Sequence, residues 1–249
     1  MAIALTIVMT TALIYACKKQ DAYVRHSPDE MASKLYLTES FIQFSEKFIQ
    51  DFHQFASYLR EPAQQKNRAV FLTSFREAEK NESPLENLLQ QHNLSMDEWM
   101  TRKNKLDNDF LQLFLQLPEL RTYSDDEILQ IIREGIQLGM RSQDDRWKEI
   151  RQQKLTKSSL LTVGVLHTGA EQNLPMVIDG KEVWDCLKDA VGLGAASVLG
   201  IGALKKLASQ GVHSIVVSLT KFLAKNAGWI GLGIMVIDFS TCLYHENQD

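Results

Sequence analysis

Three cysteines carry the reactive chemistry of this chain: Cys17, Cys186 and Cys242. A thiol can be acylated, oxidised to a disulfide or used as a soft metal ligand. The count is odd, so at most one intramolecular pair can bridge and one thiol is left over. No Cys-x-x-Cys and no His/Cys cluster occurs, which argues against a zinc site. The six histidines, at 26, 53, 92, 167, 213 and 245, show no i, i+4 pairing, and no His-Glu-x-x-His string exists. A Gly-x-Ser-x-Gly nucleophile elbow and a phosphate-binding Gly-x-x-x-x-Gly-Lys-Ser/Thr loop are both missing. Gly192-Leu193-Gly194-Ala195-Ala196-Ser197 has the first spacing of a dinucleotide loop but lacks its third glycine and a preceding strand. The paired acids Asp125-Asp126 and Asp144-Asp145 fit a helix start and a solvated face. These residues predict a non-catalytic protein with no cofactor and no metal.

Cys17 stands at a sharp boundary. It closes the string Ile14-Tyr15-Ala16-Cys17 after an uncharged apolar run over 2–16, and Lys18-Lys19 follow at once. A small residue before a cysteine at the end of a short apolar run resembles the lipobox of bacterial lipoproteins. The resemblance implies a signal over 1–16, lipidation of Cys17, a polar tether over 17–26 and a place in the cell envelope, bound to membrane lipid. No Lys or Arg precedes the run, which departs from the usual signal pattern. Fifteen residues at about 1.5 Å each span roughly 22 Å, short of the roughly 30 Å of a bilayer core. Ordinary secretion with cleavage after Ala16, or an uncleaved anchor, are the alternatives.

If Cys17 carries lipid, Cys186 and Cys242 remain as a candidate disulfide in a compartment that permits one. Two unrelated buried thiols are the alternative, because spacing does not fix connectivity. The net charge of −4 gives no case for nucleic-acid binding. The charge is uneven, however. Between those cysteines five lysines face two aspartates, leaving +3 there and −7 elsewhere. A mildly cationic tail on an acidic body predicts two regions with different jobs.

The body, 27–156, reads as helical. Ser27-Pro28-Asp29-Glu30, Ser83-Pro84-Leu85-Glu86, Ser95-Met96-Asp97-Glu98 and Ser124-Asp125-Asp126-Glu127 all have the capping-box spacing. Phe41, Phe44, Phe48, Phe52, Phe55 and Leu59 form one stripe on a long first helix that Pro62 should end. A second helix should run from Pro62 to Lys80 with Val70, Phe71 and Phe75 inward. A short third follows Ser83. Met96, Trp99, Leu106, Phe110, Leu113 and Leu117 line a fourth, stopped near Pro118. Ile128, Ile131, Ile132, Leu138, Trp147 and Ile150 mark a fifth, which either runs to Leu155 or breaks near Ser142. The expected class is mainly α, a helical bundle or array.

Over 157–183 the helical period fades. Val163, Val165, Val177 and Ile178 suit short strands, and Asp179-Gly180 suits the turn of a hairpin in an otherwise linking segment. The tail, 184–249, is Gly-rich. Gly192, Ala196 and Gly200 recur every four residues, which on a helix leaves a face open to close approach by another helix or by lipid. Gly228-Trp229-Ile230-Gly231-Leu232-Gly233 repeats the small-residue theme. The apolar runs over 190–204 and 227–237 are both below the roughly 18 residues that a span needs. With its cysteine frame and its Gly-Trp-Ile-Gly string, the tail resembles the Gly/Ala-rich domains of bacteriocin-like peptides. That resemblance implies a small helical module that interacts with a membrane surface. A tail that merely packs as core for the body, in a structural or protein-interaction lipoprotein with an envelope partner, is the alternative. An uncharacterised envelope enzyme is the third.

Overall fold

Serine hydroxyls start three of the four helices where the spacing placed them. The computed structural model describes residues 25–65, 68–81, 83–156, 177–190, 195–213 and 228–245. Ser27 and Ser124 each accept a bond from the amide three residues on, while Glu30 and Glu127 reach back to the serine amides. These close full capping boxes on α1 (Pro28–Leu35) and α6 (Asp125–Arg141). Ser95 accepts from the Glu98 amide at the head of α5 (Met96–Gln116). Ser83 caps nothing: α4 (Leu85–Gln91) begins after Pro84, with no side-chain cap. The chain there is occupied by closing the previous helix, since the Ser83 amide donates to Ala78 O at 2.9 Å.

The phenylalanine stripe lies on α2 (Glu39–Gln65), and all six of its positions are buried. α1 is separate from it, because the Thr38 amide and hydroxyl both close on Leu35 O, at 2.8 and 2.7 Å. Pro62 does not end α2, which runs on to Gln65. A proline removes one donor and one carbonyl's partner, and this close to the helix end the loss is confined to the final turns. α3 (Arg68–Lys80) buries Phe71 and Phe75, but Val70 faces solvent at 58% exposure. α5 lies antiparallel on α2. Phe44 and Phe48 meet Phe110 with ring centroids 5.2 and 5.4 Å apart, and Phe55 meets Trp99 at 4.8 Å. A 3-10 turn (Pro118–Thr122) leads to α6. The fifth predicted helix breaks at Ser142, and α7 (Asp145–Gln152) follows with an Asp144 cap.

Among the described residues, two short strands stand at the two ends of the join. β1 (Lys154–Thr156) pairs antiparallel with β2 (Val177–Asp179), Leu155 opposite Ile178. Val163 and Val165 lie outside the described residues. Asp179-Gly180 is not a hairpin turn. Asp179 accepts from the Glu182 amide at 2.8 Å, and Glu182 returns a bond to the Asp179 amide. This is an aspartate-led capping box on α8 (Gly180–Ala190), which begins at once.

The tail is part of the core. α9 (Ala195–Leu199) and α10 (Ile201–Ser209) are two helices, so Ala196 and Gly200 do not lie along one rod. Gly200 breaks it with φ +72°, a left-handed conformation that only glycine adopts freely. Nothing approaches the place of its missing Cβ. Its requirement is conformational and not close packing. α11 (Gly228–His245) is apolar on nearly every face and packs on α2, α3, α8 and α9. Ile230, Leu232, Met235, Val236, Ile237 and Phe239 are all buried. A helix of that composition is stable in water only when surrounded. One cluster of buried apolar side chains runs from Met31 to Phe239, through body and tail alike.

Candidate functional site

The sequence-predicted residues divide three ways. Cys17 and Gly192 lie outside the described residues. Cys186 and Cys242 come together: their sulfurs are bonded at 2.01 Å, with the Cα atoms 5.5 Å apart. Cys186 is held by α8, which the Asp179 cap starts and which Trp184 docks on α6 through a 3.2 Å bond to Gln137 Oε1. Cys242 is held by α11, fixed one turn earlier where the Phe239 ring edge meets Phe52 at 5.1 Å. The small residues scatter. Ala196 is buried in α9. Gly228 and Trp229 open α11. A Cβ on Gly231 would stand 3.0 Å from Val198 and 3.2 Å from Glu79 Oε1. One on Gly233 would stand 2.7 Å from Phe75 and 2.9 Å from Trp99. The bare face of α11 therefore receives protein side chains.

Two of the tail's lysines are engaged with acids. Lys205 Nζ donates to Asp125 Oδ1 at 2.7 Å and to Tyr123 O at 3.0 Å, which pins α10 to the head of α6. Lys188 reaches Asp185 at 2.9 Å. The Lys205–Asp125 pair thus joins the cationic tail to the acidic body, while the Lys188–Asp185 pair lies within α8 itself.

Three polar constellations emerge that spacing did not expose. Ser74 Oγ lies 2.7 Å from His92 Nε2, a distance at which a histidine could activate a serine. The same hydroxyl lies 2.7 Å from Phe71 O. A serine has a single proton, and donating it to that carbonyl leaves the histidine as donor, the wrong tautomer for a base. The imidazole is buried, with its edge against Phe71 at 4.4 Å. The pair ties α3 to the end of α4.

The second constellation is Lys103 with Asp107, one turn apart on α5. Their side chains form an ion pair while only 5% and 2% exposed. Burial pushes the Asp107 carboxyl above its usual range, and the Lys103 ammonium opposes that. The third crosses from α2 to α5. Asp51 has Lys105 Nζ 4.0 Å from its carboxyl, and Asp109 is buried with its Oδ2 unpartnered among the described residues. Burial first, and then the Asp51 charge, push Asp109 up to about 7. Asp51 is raised as well, mainly by burial. An i, i+4 spacing of lysine and aspartate is legible at 103–107, but it is equally common on wet helix faces. The approach of Lys105 to Asp51 depends on helix packing and leaves no local signal.

Among the described residues, no group of three or more His, Cys, Asp or Glu could hold a metal ion. Among them, too, no helix is long and apolar enough to cross a membrane. Compared with known proteins, the chain matches no family model, no curated protein and no solved structure.

Proposed function

We propose that this chain is a non-catalytic bacterial envelope protein, held at the membrane by an acylated Cys17, whose body and tail together form one rigid interaction scaffold for an envelope partner. The observation that carries the scaffold reading is the position of α11. Its apolar surface is enclosed by four helices of the same chain, and a disulfide joins it to α8. The lipobox-like start supports the anchor. Eight residue-to-residue steps lead from Cys17 to Arg25, which at about 3.5 Å each allow a tether of no more than roughly 28 Å. Arg25 is fixed against Glu127 and over the Tyr123 ring. A lipid on Cys17 therefore keeps the α1 and α6 end of the body close to the bilayer.

Metabolic labelling with a fatty acid tests the anchor. The full-length protein takes up label, and Cys17→Ala does not. Label retained by Cys17→Ala overturns lipidation at this site.

The second reading, a bacteriocin-like tail that acts on membranes, draws support from the uniformly apolar surface of α11. It requires that helix to leave the core. Dye leakage from anionic vesicles separates the two readings. On the scaffold reading, the oxidised protein at micromolar concentration releases no dye, and reducing the 186–242 bridge does not change that. Leakage that appears on reduction favours the membrane-active tail.

A further inference from the structure

Along its described length α11 is buried except for one row. Ile234, Asp238 and Cys242 stand four residues apart and so share one side of the helix. Among the described side chains from Ile230 to Cys242 they alone are not buried: Asp238 is exposed, and Ile234 and Cys242 are partly so. The Asp238 carboxylate lies 4.0 Å from Arg76 of α3, whose side chain is 55% exposed, so this row borders solvent. The other end of the bridge is different. Cys186 is 1% exposed, and Val183, one turn back on the same side of α8, is fully buried. Cys186 belongs to the buried apolar cluster, whereas Cys242 packs against its margin. The bond between them therefore runs from the core towards the surface. That asymmetry gives thiol exchange a direction. An attacking thiolate approaches one sulfur from the side opposite the bond it breaks and expels the other sulfur. Reaching Cys186 in that way means entering through the core, while Cys242 is met from outside.

We propose that Cys242 is the exchange sulfur of this bridge, the atom at which a dithiol opens it and a disulfide carrier closes it, with Cys186 as the sheltered leaving sulfur. One thiolate of the dithiol bonds to Cys242 Sγ, the 186–242 bond breaks, and its electron pair stays on Cys186. A charge left there would stand in an apolar place, so that sulfur takes up a proton as it leaves. The second thiol of the dithiol then attacks its own molecule's sulfur in the mixed disulfide and expels Cys242. The bridge gains two electrons and two protons, and the dithiol becomes a disulfide. Closure runs through the same mixed disulfide in reverse. This chemistry needs only a thiol partner and does not depend on acylation of Cys17. Because Cys242 stands on the solvent-facing row of α11, opening the bridge there requires no exit of that helix from its enclosure.

The test uses the full-length protein. Cys186→Ala and Cys242→Ala each leave one thiol of the pair, and glutathione disulfide is the probe. The adduct is located by peptide mass after tryptic digestion. Lys18, Lys181, Lys188 and Lys225 put the three cysteines in separate peptides, so any label on Cys17 is read apart. Under native conditions Cys242 in the Cys186→Ala protein takes up glutathione about tenfold faster or more than Cys186 does in the Cys242→Ala protein. In urea the two rates converge, because the difference belongs to the fold. Equal native rates, a faster Cys186, or the same difference in urea overturn the proposal. Should either variant fail to fold by circular dichroism, the wild type decides. It is treated in its native state with reduced glutathione and quenched with acid, which stops exchange by protonating the thiolates. Mixed disulfide on Cys242 supports the assignment. Mixed disulfide on Cys186, on both sulfurs equally or on neither overturns it.

Discussion

Replacing Cys186 and Cys242 together by serine is expected to lower the free energy of unfolding by about 4 kcal/mol. The bridge spans 56 residues of sequence, and a loop of that length loses much of its freedom when its ends are joined in the unfolded chain. In the folded protein the two cysteines are held together by more than their bond. α8 and α11 pack along their lengths, and Cys186 is only 1% exposed. The serine pair should therefore still fold, with its helices intact by circular dichroism and its urea midpoint sharply lower. Reducing the wild-type protein should produce a similar fall. An unchanged midpoint in the double variant would refute the staple.

Lys103→Met should cost about 3 kcal/mol or more, although it adds apolar surface to an apolar place. The reason is Asp107. With the ammonium gone, a carboxyl that is 2% exposed on its side chain has lost its charged partner, and stranding one member of a buried pair typically costs 3–5 kcal/mol. Protonating Asp107 sets a ceiling on the penalty, so the loss should be larger at pH 8 than at pH 5. Lys103→Met with Asp107→Leu should recover most of the stability, since an apolar pair of similar volume replaces an ion pair that was costly to desolvate. A double-mutant cycle by urea denaturation reads the coupling. A single variant as stable as the wild type would show that the pair contributes nothing.

The helices of the body were legible because their instructions are local. A serine three residues before a glutamate satisfies two amides wherever it occurs at a helix start, and Ser27 and Ser124 did so. The phenylalanine stripe needs only the helical period to mark an inward face. The same local logic misled where a competing local bond existed. Ser83 matched the pattern, but its own amide closes α3's last turn and the helix waits for Leu85. Asp179-Gly180 reads equally as a turn or as a cap, and the box with Glu182 selects the cap. Gly200 was legible as a small residue but not as a break, because its role lies in the sign of φ.

By itself the sequence determined the α class, most helix starts, the inward stripe of α2 and the short reach of the apolar tail segments, all of which follow from neighbours a few residues apart. Which partner the tail takes was decided only in three dimensions. A bare glycine face accepts lipid or protein with equal ease, and here Val198, Phe75 and Trp99 fill it. The joining of Cys186 to Cys242 and the approach of Lys105 to Asp51 likewise depend on how distant helices stack. Packing brings the two thiols within bonding distance and burial pushes the Asp109 carboxyl up, and both are properties of the packed chain.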